Sequence, residues 1–117
     1  MDTNQLRENY TIYISGPITG DPNAKERFAK AQEHLEKVWT VINPFEIPGT
    51  KEIDAAGGLW EEYMKKDIAA LVEADFIYML HGWRRSRGAR LERKIAKALK
   101  IGVLYEPRQT AKKRAGK

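Results

Sequence analysis

Residues 75–99, DFIYMLHGWRRSRGARLERKIAKAL, contain the pattern that decides the fold. The unbroken apolar run FIYML is typical of a strand buried on both faces, as in the centre of a parallel sheet. A turn rich in glycine and arginine follows, and apolar positions then recur at helical spacing over residues 88–100. The stretch therefore predicts a strand, a turn and a helix in succession.

The rest of the chain repeats this alternation. Strands are predicted at residues 10–15, 38–42, 75–80 and 103–105, and helices at residues 22–37, 59–73 and 88–100. Asp21 is predicted to cap the first helix, Gly102 to end the last one, and residues 45–58 to form a long loop. We expect right-handed βαβ units in a single Rossmann-like or flavodoxin-like α/β domain, with a parallel four- to five-stranded sheet and helices on both faces.

Glu92 is an acid on an otherwise apolar helix face. At ~100° per residue it shares that face with Gly88, Ala89, Ile95, Ala96 and Leu99. A carboxylate is costly to bury unless something pairs it or uses it. The helix dipole should favour the ionised form of Glu92, which would suit a nucleophile. Glu92 is therefore the first candidate for a catalytic residue.

Asp67 is the second acid of this kind. On the helix predicted at residues 59–73 it lies among Trp60, Tyr63, Met64 and Leu71. Two carboxylates in one cleft are the minimum equipment for glycosidic chemistry, one as nucleophile and one as general acid. The alternative for either acid is structural, as the partner of a buried arginine or the cap of a neighbouring loop.

The carboxyl ends of the strands predict where a ligand would lie. In open α/β sheets ligands bind beyond these ends, so we expect the loops Ser15-Gly16-Pro17, Asn43-Pro44 and His81-Gly82-Trp83 to converge on one rim. Tyr13 faces opposite to its neighbours on the first strand, as a packing residue or as one that orients a catalytic group.

Ser86 precedes the last helix and is a plausible N-cap. Its hydroxyl and the free backbone amides could hold an anion at the positive end of that helix, although ordinary capping explains it equally well. Four arginines nearby could attract phosphate or form a solvated face; they are Arg84, Arg85, Arg87 and Arg90.

Composition excludes several classes of function. The chain has no cysteine, no phosphate-binding glycine motif and no metal-ligand cluster, so we expect neither a metal nor another cofactor. No apolar run approaches the ~20 residues of a membrane helix, and the polar first residues are unlike a signal peptide. We therefore expect a cytoplasmic protein with no membrane contact.

The net charge of +5 comes from the end of the chain. Residues 107–117 hold five cationic side chains and no acid, and residues 1–106 carry equal numbers of cations and anions. A short basic tail is typical of a solvated, flexible segment. The charge therefore does not by itself predict a nucleic-acid partner.

The motifs YISGPITG (residues 13–20), DIAALVEADFIYML (67–80) and SRGARLERKIA (86–96) resemble the nucleoside 2-deoxyribosyltransferase superfamily. Within it, the chain is similar to a branch of small members often carried by phages and prophages, near the 2′-deoxynucleoside 5′-phosphate N-hydrolases. The resemblance covers residues 10–106. It divides the chain into a lead-in at 1–9, a deoxyribosyltransferase-like domain at 10–106 and the tail at 107–117.

The resemblance implies a role for each matched residue. Glu92 would be the nucleophile that attacks C1′ of the deoxyribose, Asp67 would handle the proton on the leaving base, and Tyr13 would orient the nucleophile. Four further residues would bind the substrate: Gly16, Pro17, Ser86 and Gly88. Transferases of the superfamily carry an aspartate at the position of Ser86, which favours a nucleotide hydrolase here.

The implied activity is cleavage or base exchange at the N-glycosidic bond of 2′-deoxynucleosides or their 5′-monophosphates, through a retaining glycosyl-enzyme. The implied partners are a small nucleoside or nucleotide and further copies of the chain, as a dimer or tetramer. One alternative is a nucleotide-binding module without catalysis. The other is a nucleic-acid accessory protein that uses the basic tail, although only the charge of that tail supports it.

Overall fold

The computed structural model describes residues 10–107 and contains one sheet of four strands. The strands are β1 (Thr11–Ser15), β2 (Thr40–Ile42), β3 (Phe76–Met79) and β4 (Gly102–Tyr105). All three neighbouring pairs are parallel, in the order β2-β1-β3-β4. The predicted parallel α/β architecture is confirmed, with four strands. The predicted lead-in (1–9) and all of the tail after Pro107 lie outside the described residues.

Four α-helices accompany the strands within residues 10–107. They are α1 (Ala24–Leu35), α2 (Thr50–Ala55), α3 (Trp60–Leu71) and α4 (Arg87–Ala98). Short 3-10 helices cover Pro44–Glu46 and Trp83–Arg85. None of the helices in this part of the chain is long and apolar enough to cross a membrane.

The alternation of side chains along β1 gives the sheet two buried faces. Ile12 and Ile14 pack with Phe28, Ala31 and Leu35 of α1 on one face. Tyr13 points to the other face, where Leu71 of α3 and Ala89 and Ala96 of α4 close the core. The two faces explain why the strands read as continuous apolar runs in the sequence.

Two predicted helix boundaries are wrong. Asp21 does not cap α1, which begins after Asn23; its carboxylate instead accepts hydrogen bonds from the Asn23 N–H at 2.9 Å and from Arg27 at 2.9 Å. Aspartate favours such local turns as readily as helix caps. At the other end Gly102 opens β4 rather than ending α4, and Lys100 takes the left-handed conformation with φ 61°.

Leu99 also departs from its predicted place on the apolar face of the last helix. It lies just beyond Ala98, where α4 ends, and 55% of it is exposed. The buried stripe of α4 consists of Ala89, Glu92 and Ala96. Helical spacing therefore predicted the stripe correctly up to the last turn, where the chain leaves the helix.

The predicted loop at 45–58 contains structure that periodicity did not indicate. α2 occupies six residues of it and buries Ile53, while Tyr63 of α3 donates a hydrogen bond to Asp54. A helix of six residues completes fewer than two turns, so one apolar residue is enough to anchor it and no repeat is visible. Gly49 precedes this helix with φ 97°, a conformation that glycine adopts readily.

Candidate active site

Glu92 is held by two hydroxyl groups of the neighbouring strand. The Tyr13 hydroxyl donates to Glu92 Oε2 at 2.6 Å, and the Ser15 hydroxyl donates to Oε1 at 2.6 Å. Tyr13 and Ser15 are two positions apart on β1, so their side chains leave the same face of the sheet. The Glu92 side chain is thereby fixed between α4 and β1, with 5% of the residue exposed.

Burial controls the ionisation of Glu92. It raises the pKa of the carboxyl from its ordinary 4.5 to about 7, against the hydrogen bonds from Ser15 and Tyr13, which lower the pKa. The prediction that the helix dipole would leave Glu92 readily ionised is therefore wrong in its net direction. Near neutral pH the Glu92 carboxyl is therefore partly protonated and partly ionised.

Tyr13 stays protonated across this range. Burial, together with the charges of Glu92 and Asp67, holds the pKa of the Tyr13 hydroxyl well above its ordinary 10. It therefore remains a hydrogen-bond donor to Glu92 at any pH at which the carboxyl ionises.

Asp67, on α3, lines the same cavity as Glu92. It lies on the buried stripe with Met64 and Leu71, and 7% of the residue is exposed. Burial, and then the negative charge of Glu92, raise the pKa of Asp67 from 3.8 to about 7. Within residues 10–107 no hydrogen bond offsets these effects at Asp67. Two acids that repel each other in this way tend to keep one proton between them near neutral pH.

The cavity has a volume of about 620 Å³, in the range of small-molecule sites. Three segments form its walls: residues 16–19 after β1, the first two turns of α3, and residues 85–89 where α4 begins. The sequence-predicted residues that line it are Gly16, Pro17, Asp67, Ser86, Gly88 and Glu92. Tyr13 lies behind Glu92 and reaches the site through its hydrogen bond.

Only the first of the three predicted rim loops lines this cavity. Asn43 instead caps the 3-10 helix, accepting a hydrogen bond from the Phe45 N–H at 3.0 Å, and it donates to Gln32 at 2.9 Å. His81, Gly82 and Trp83 border a separate depression beside Tyr105 and Glu106. The strand ends share one edge of the sheet, but α3 and α4 decide which loops face the cavity.

Gly16 and Gly88 allow close packing at the cavity walls. A Cβ on Gly16 would lie 2.8 Å from Leu80 Cβ, and one on Gly88 would lie 3.1 Å from Met64 Sδ. The first contact admits no side chain without displacement of the strand end. The second is less severe because the methionine side chain is flexible.

The first turn of α4 brings positive charge to the cavity. Ser86 is the N-cap, as predicted, and its hydroxyl accepts a hydrogen bond from the Ala89 N–H at 3.1 Å. Arg85 and Arg87 line the cavity beside it, and the Arg87 guanidinium lies 3.7 Å from the centre of the Trp60 ring. Basic side chains and a helix N-terminus together favour an anionic group here.

The family model described as Domain of unknown function (DUF4406) matches residues 10–105. The chain belongs to the DUF4406 family. The match spans every strand and helix described above, and so includes the whole candidate site. No curated protein matches the chain.

Sequence reasoning on this DUF4406 chain placed Ser15 in a rim loop and missed its hydrogen bond to Glu92. The signal was available, since a residue two positions after Tyr13 on a strand lies on the same face. It also missed Trp60 and Arg87 as cavity residues, because their contact joins α3 to α4 and no local pattern predicts it. Among residues 10–107, no group of three or more acidic or histidine side chains is placed to hold a metal ion.

Proposed function

We propose that the chain cleaves the N-glycosidic bond of 2′-deoxynucleosides or their 5′-monophosphates, with Glu92 as the nucleophile. The observation that carries the proposal is the placement of Glu92 at a cavity wall, held by Tyr13 and Ser15 and sharing the cavity with Asp67. The resemblance of the same residues to the nucleoside 2-deoxyribosyltransferase superfamily supports this assignment.

Hydrogen bonding supports different roles for the two acids. Two hydroxyl donors stabilise the ionised form of Glu92, and no hydrogen bond within residues 10–107 does the same for Asp67. When the pair holds one proton, the hydrogen bonds therefore favour Glu92 as the carboxylate and Asp67 as the acid. This is the division of roles that a retaining glycosidic reaction requires.

The reaction proceeds in two balanced steps. A Glu92 oxygen attacks C1′, the bond from C1′ to the base nitrogen breaks, and its electron pair takes the proton of Asp67 as the base leaves. Water then attacks C1′ of the glycosyl-enzyme and gives a proton to the Asp67 carboxylate, which releases Glu92 and 2-deoxyribose or its 5-phosphate. In a transferase a second base replaces the water.

A 5′-monophosphate suits the cavity better than an uncharged nucleoside. The cavity is lined by two cations, Arg85 and Arg87, and by the N-terminus of α4, the helix that carries Glu92. These groups could bind the phosphate of a nucleotide. A charge-assisted contact of this kind is stronger than one between neutral groups. We therefore propose the nucleotide hydrolase reaction ahead of base exchange.

Release of free base tests the proposal directly. The full-length chain is incubated with each deoxynucleoside and deoxynucleoside 5′-monophosphate, and base is measured by chromatography. Glu92→Gln should lower the rate at least about 10³-fold, because the amide cannot act as the nucleophile. Glu61→Gln, an exposed change on α3, is the matched control and should leave the rate unchanged.

Mass spectrometry of rapidly quenched samples should show the chain enlarged by one deoxyribosyl group, or its phosphate, on Glu92. Absence of base release from every substrate, or an equal rate with Glu92→Gln, contradicts the proposal.

A nucleotide-binding module without catalysis is the second candidate. It is favoured by the low exposure of Glu92, 5%, with both carboxylate oxygens already hydrogen-bonded, as in a satisfied polar cluster of a protein core. This candidate predicts saturable binding of a deoxynucleotide by calorimetry with no release of base. The resemblance also leads us to propose a dimer or tetramer, which sedimentation equilibrium tests. We further propose the cytoplasmic location that the composition predicts, which cell fractionation tests.

A further inference from the structure

A second groove runs along the outer side of α4, next to the cavity just described. It encloses about 920 Å³, and its walls include Trp60, Trp83, Arg87, Arg90, Lys94 and Lys97. We call it the α4 groove. Five cations line the groove, the fifth being Arg93. The other four lie at helix positions i, i+3, i+7 and i+10 and so form one stripe, which extends ~15 Å along the helix.

The fold concentrates positive charge at this groove. Residues 84–100 carry eight of the sixteen cationic side chains of residues 1–106, and their one acid is Glu92, which is buried on the opposite side of α4. The rest of residues 1–106 therefore has an excess of acids. Five of the eight cations of residues 84–100 line the groove.

The cations of the groove have no carboxylate partners in the described part of the chain. The salt bridges within residues 10–107 join Arg27 to Asp21 and Lys30 to Glu26, both on the α1 side of the sheet. Arg90, Lys94 and Lys97 are exposed. Like charges three and four positions apart on a helix destabilise it. An anionic ligand with several charges would remove this repulsion.

Flat aromatic and guanidinium groups line the same groove. Arg87 stacks over Trp60 at 3.7 Å, and Arg93 lies 4.6 Å from the centre of the Trp83 ring. The Arg93 Nε–H also donates to the Tyr105 hydroxyl at 2.8 Å. Unpaired nucleobases stack on such aromatic faces and guanidinium planes, whereas the bases of a duplex are already stacked on each other.

We propose that the α4 groove binds single-stranded nucleic acid. Phosphates lie along the stripe from Arg87 to Lys97, and bases contact the Trp60 and Trp83 region. Because Trp60 and Arg87 line both the groove and the catalytic cavity, a strand in the groove passes the cavity mouth. The inference rests on local charge and aromatic surface, and it does not depend on the proposed glycosidic activity. It differs from the alternative of a nucleic-acid accessory protein that uses the basic tail, because it places the contact on α4.

The test uses fluorescence anisotropy of a labelled oligothymidylate with the full-length chain, so that the tail is present throughout. The variant is Arg90→Glu/Lys94→Glu/Lys97→Glu. The control is Lys25→Glu/Lys37→Glu/Lys51→Glu, which makes the same change in net charge at exposed positions away from the groove. Circular dichroism and thermal unfolding establish that both variants are folded.

The groove variant should bind at least about tenfold more weakly, and its plot of log affinity against log salt should be shallower by about 2, since each lost single-strand phosphate contact removes ~0.7. The control should bind within about twofold of the unmodified chain. An abasic strand of equal length should bind about tenfold more weakly, because it keeps the phosphates and lacks the stacking bases.

Five outcomes overturn the proposal. Four of them are equal weakening in both variants, unchanged binding by the groove variant, equal affinity for the abasic strand, and equal affinity for a labelled duplex. The fifth is that the unmodified chain does not bind the strand and forms an oligomer that the groove variant does not form. The groove would then be a contact between copies of the chain. Glu92→Gln should bind the strand normally, so failure of catalysis and failure of strand binding are separable.

Discussion

Glu92 is a buried acid whose ionisation depends on two hydroxyl groups. Burial raises its pKa to about 7, and the hydrogen bonds from Ser15 and Tyr13 act in the opposite direction. Without those donors the carboxyl would remain protonated to a higher pH and would be a poor nucleophile near neutrality. Under the proposed function, Tyr13 and Ser15 are positioning residues that also set the fraction of Glu92 present as carboxylate.

Tyr13→Phe should move the acid limb of the pH–rate profile for base release to higher pH, by about one to two units. The reason is that loss of a hydrogen bond to the ionised carboxyl raises its pKa, and such a bond contributes about 1.5–3 kcal/mol. Ser15→Ala should move the limb in the same direction. A purely structural role would lower the rate at every pH without moving the limb, and that result would contradict the assignment.

Ser86 illustrates how one residue at the start of an element can serve both the fold and the site. Its hydroxyl caps α4 through the Ala89 N–H, and it lies beside Arg85 and Arg87 at the cavity. Capping is a local interaction that the sequence shows directly. The approach of Arg87 to Trp60 depends on how α3 and α4 pack together, which the sequence does not show.

Ser86→Ala should lower the free energy of unfolding by about 1 kcal/mol, the usual cost of losing an N-cap. Ser86→Asp keeps a capping oxygen, so its free energy of unfolding should lie within a few tenths of a kcal/mol of that of the unmodified chain.

If the phosphate of a substrate lies beside Ser86, the negative charge added by Ser86→Asp should raise KM for the 5′-monophosphate. KM for the free nucleoside should not change. Urea unfolding and steady-state kinetics measure the two effects, and an equal change for both substrates would count against a phosphate at this position.

The strands and the helices of several turns could be predicted from the sequence, and the short helices could not. The alternation along β1 placed Tyr13 opposite Ile12 and Ile14, and the strands around it pair in parallel as expected. α2 was missed because six residues carry no repeat. The start of α1 was placed wrongly because Asp21 satisfies a turn instead of the helix, and both uses are common for aspartate.

At the scale of the whole molecule, the acid pair should make stability depend on pH in an unusual direction. The folded-state pKa values of Glu92 and Asp67, each about 7, lie above their ordinary values of 4.5 and 3.8. Between about pH 4.5 and 7 the folded chain therefore binds more protons than the unfolded chain. Their contribution is complete below the lower values and is lost as pH rises through 7.

The free energy of unfolding should therefore fall between pH 5.5 and 7.5, by up to about 1 kcal/mol per pH unit for each acid. Asp67→Asn should remove roughly half of this slope and leave the chain more stable at pH 7.5, because a buried charge is replaced by a neutral group of similar size. Glu61→Gln, exposed on the same helix, should keep the slope of the unmodified chain. Urea unfolding at several pH values measures the free energy of unfolding of the unmodified chain and of both variants. A free energy of unfolding that stays constant over this range would show that both acids ionise in the folded chain as they do in the unfolded chain, and would contradict the prediction. A gain of stability in Asp67→Asn with loss of base release would show that the acid is kept for catalysis at the expense of stability.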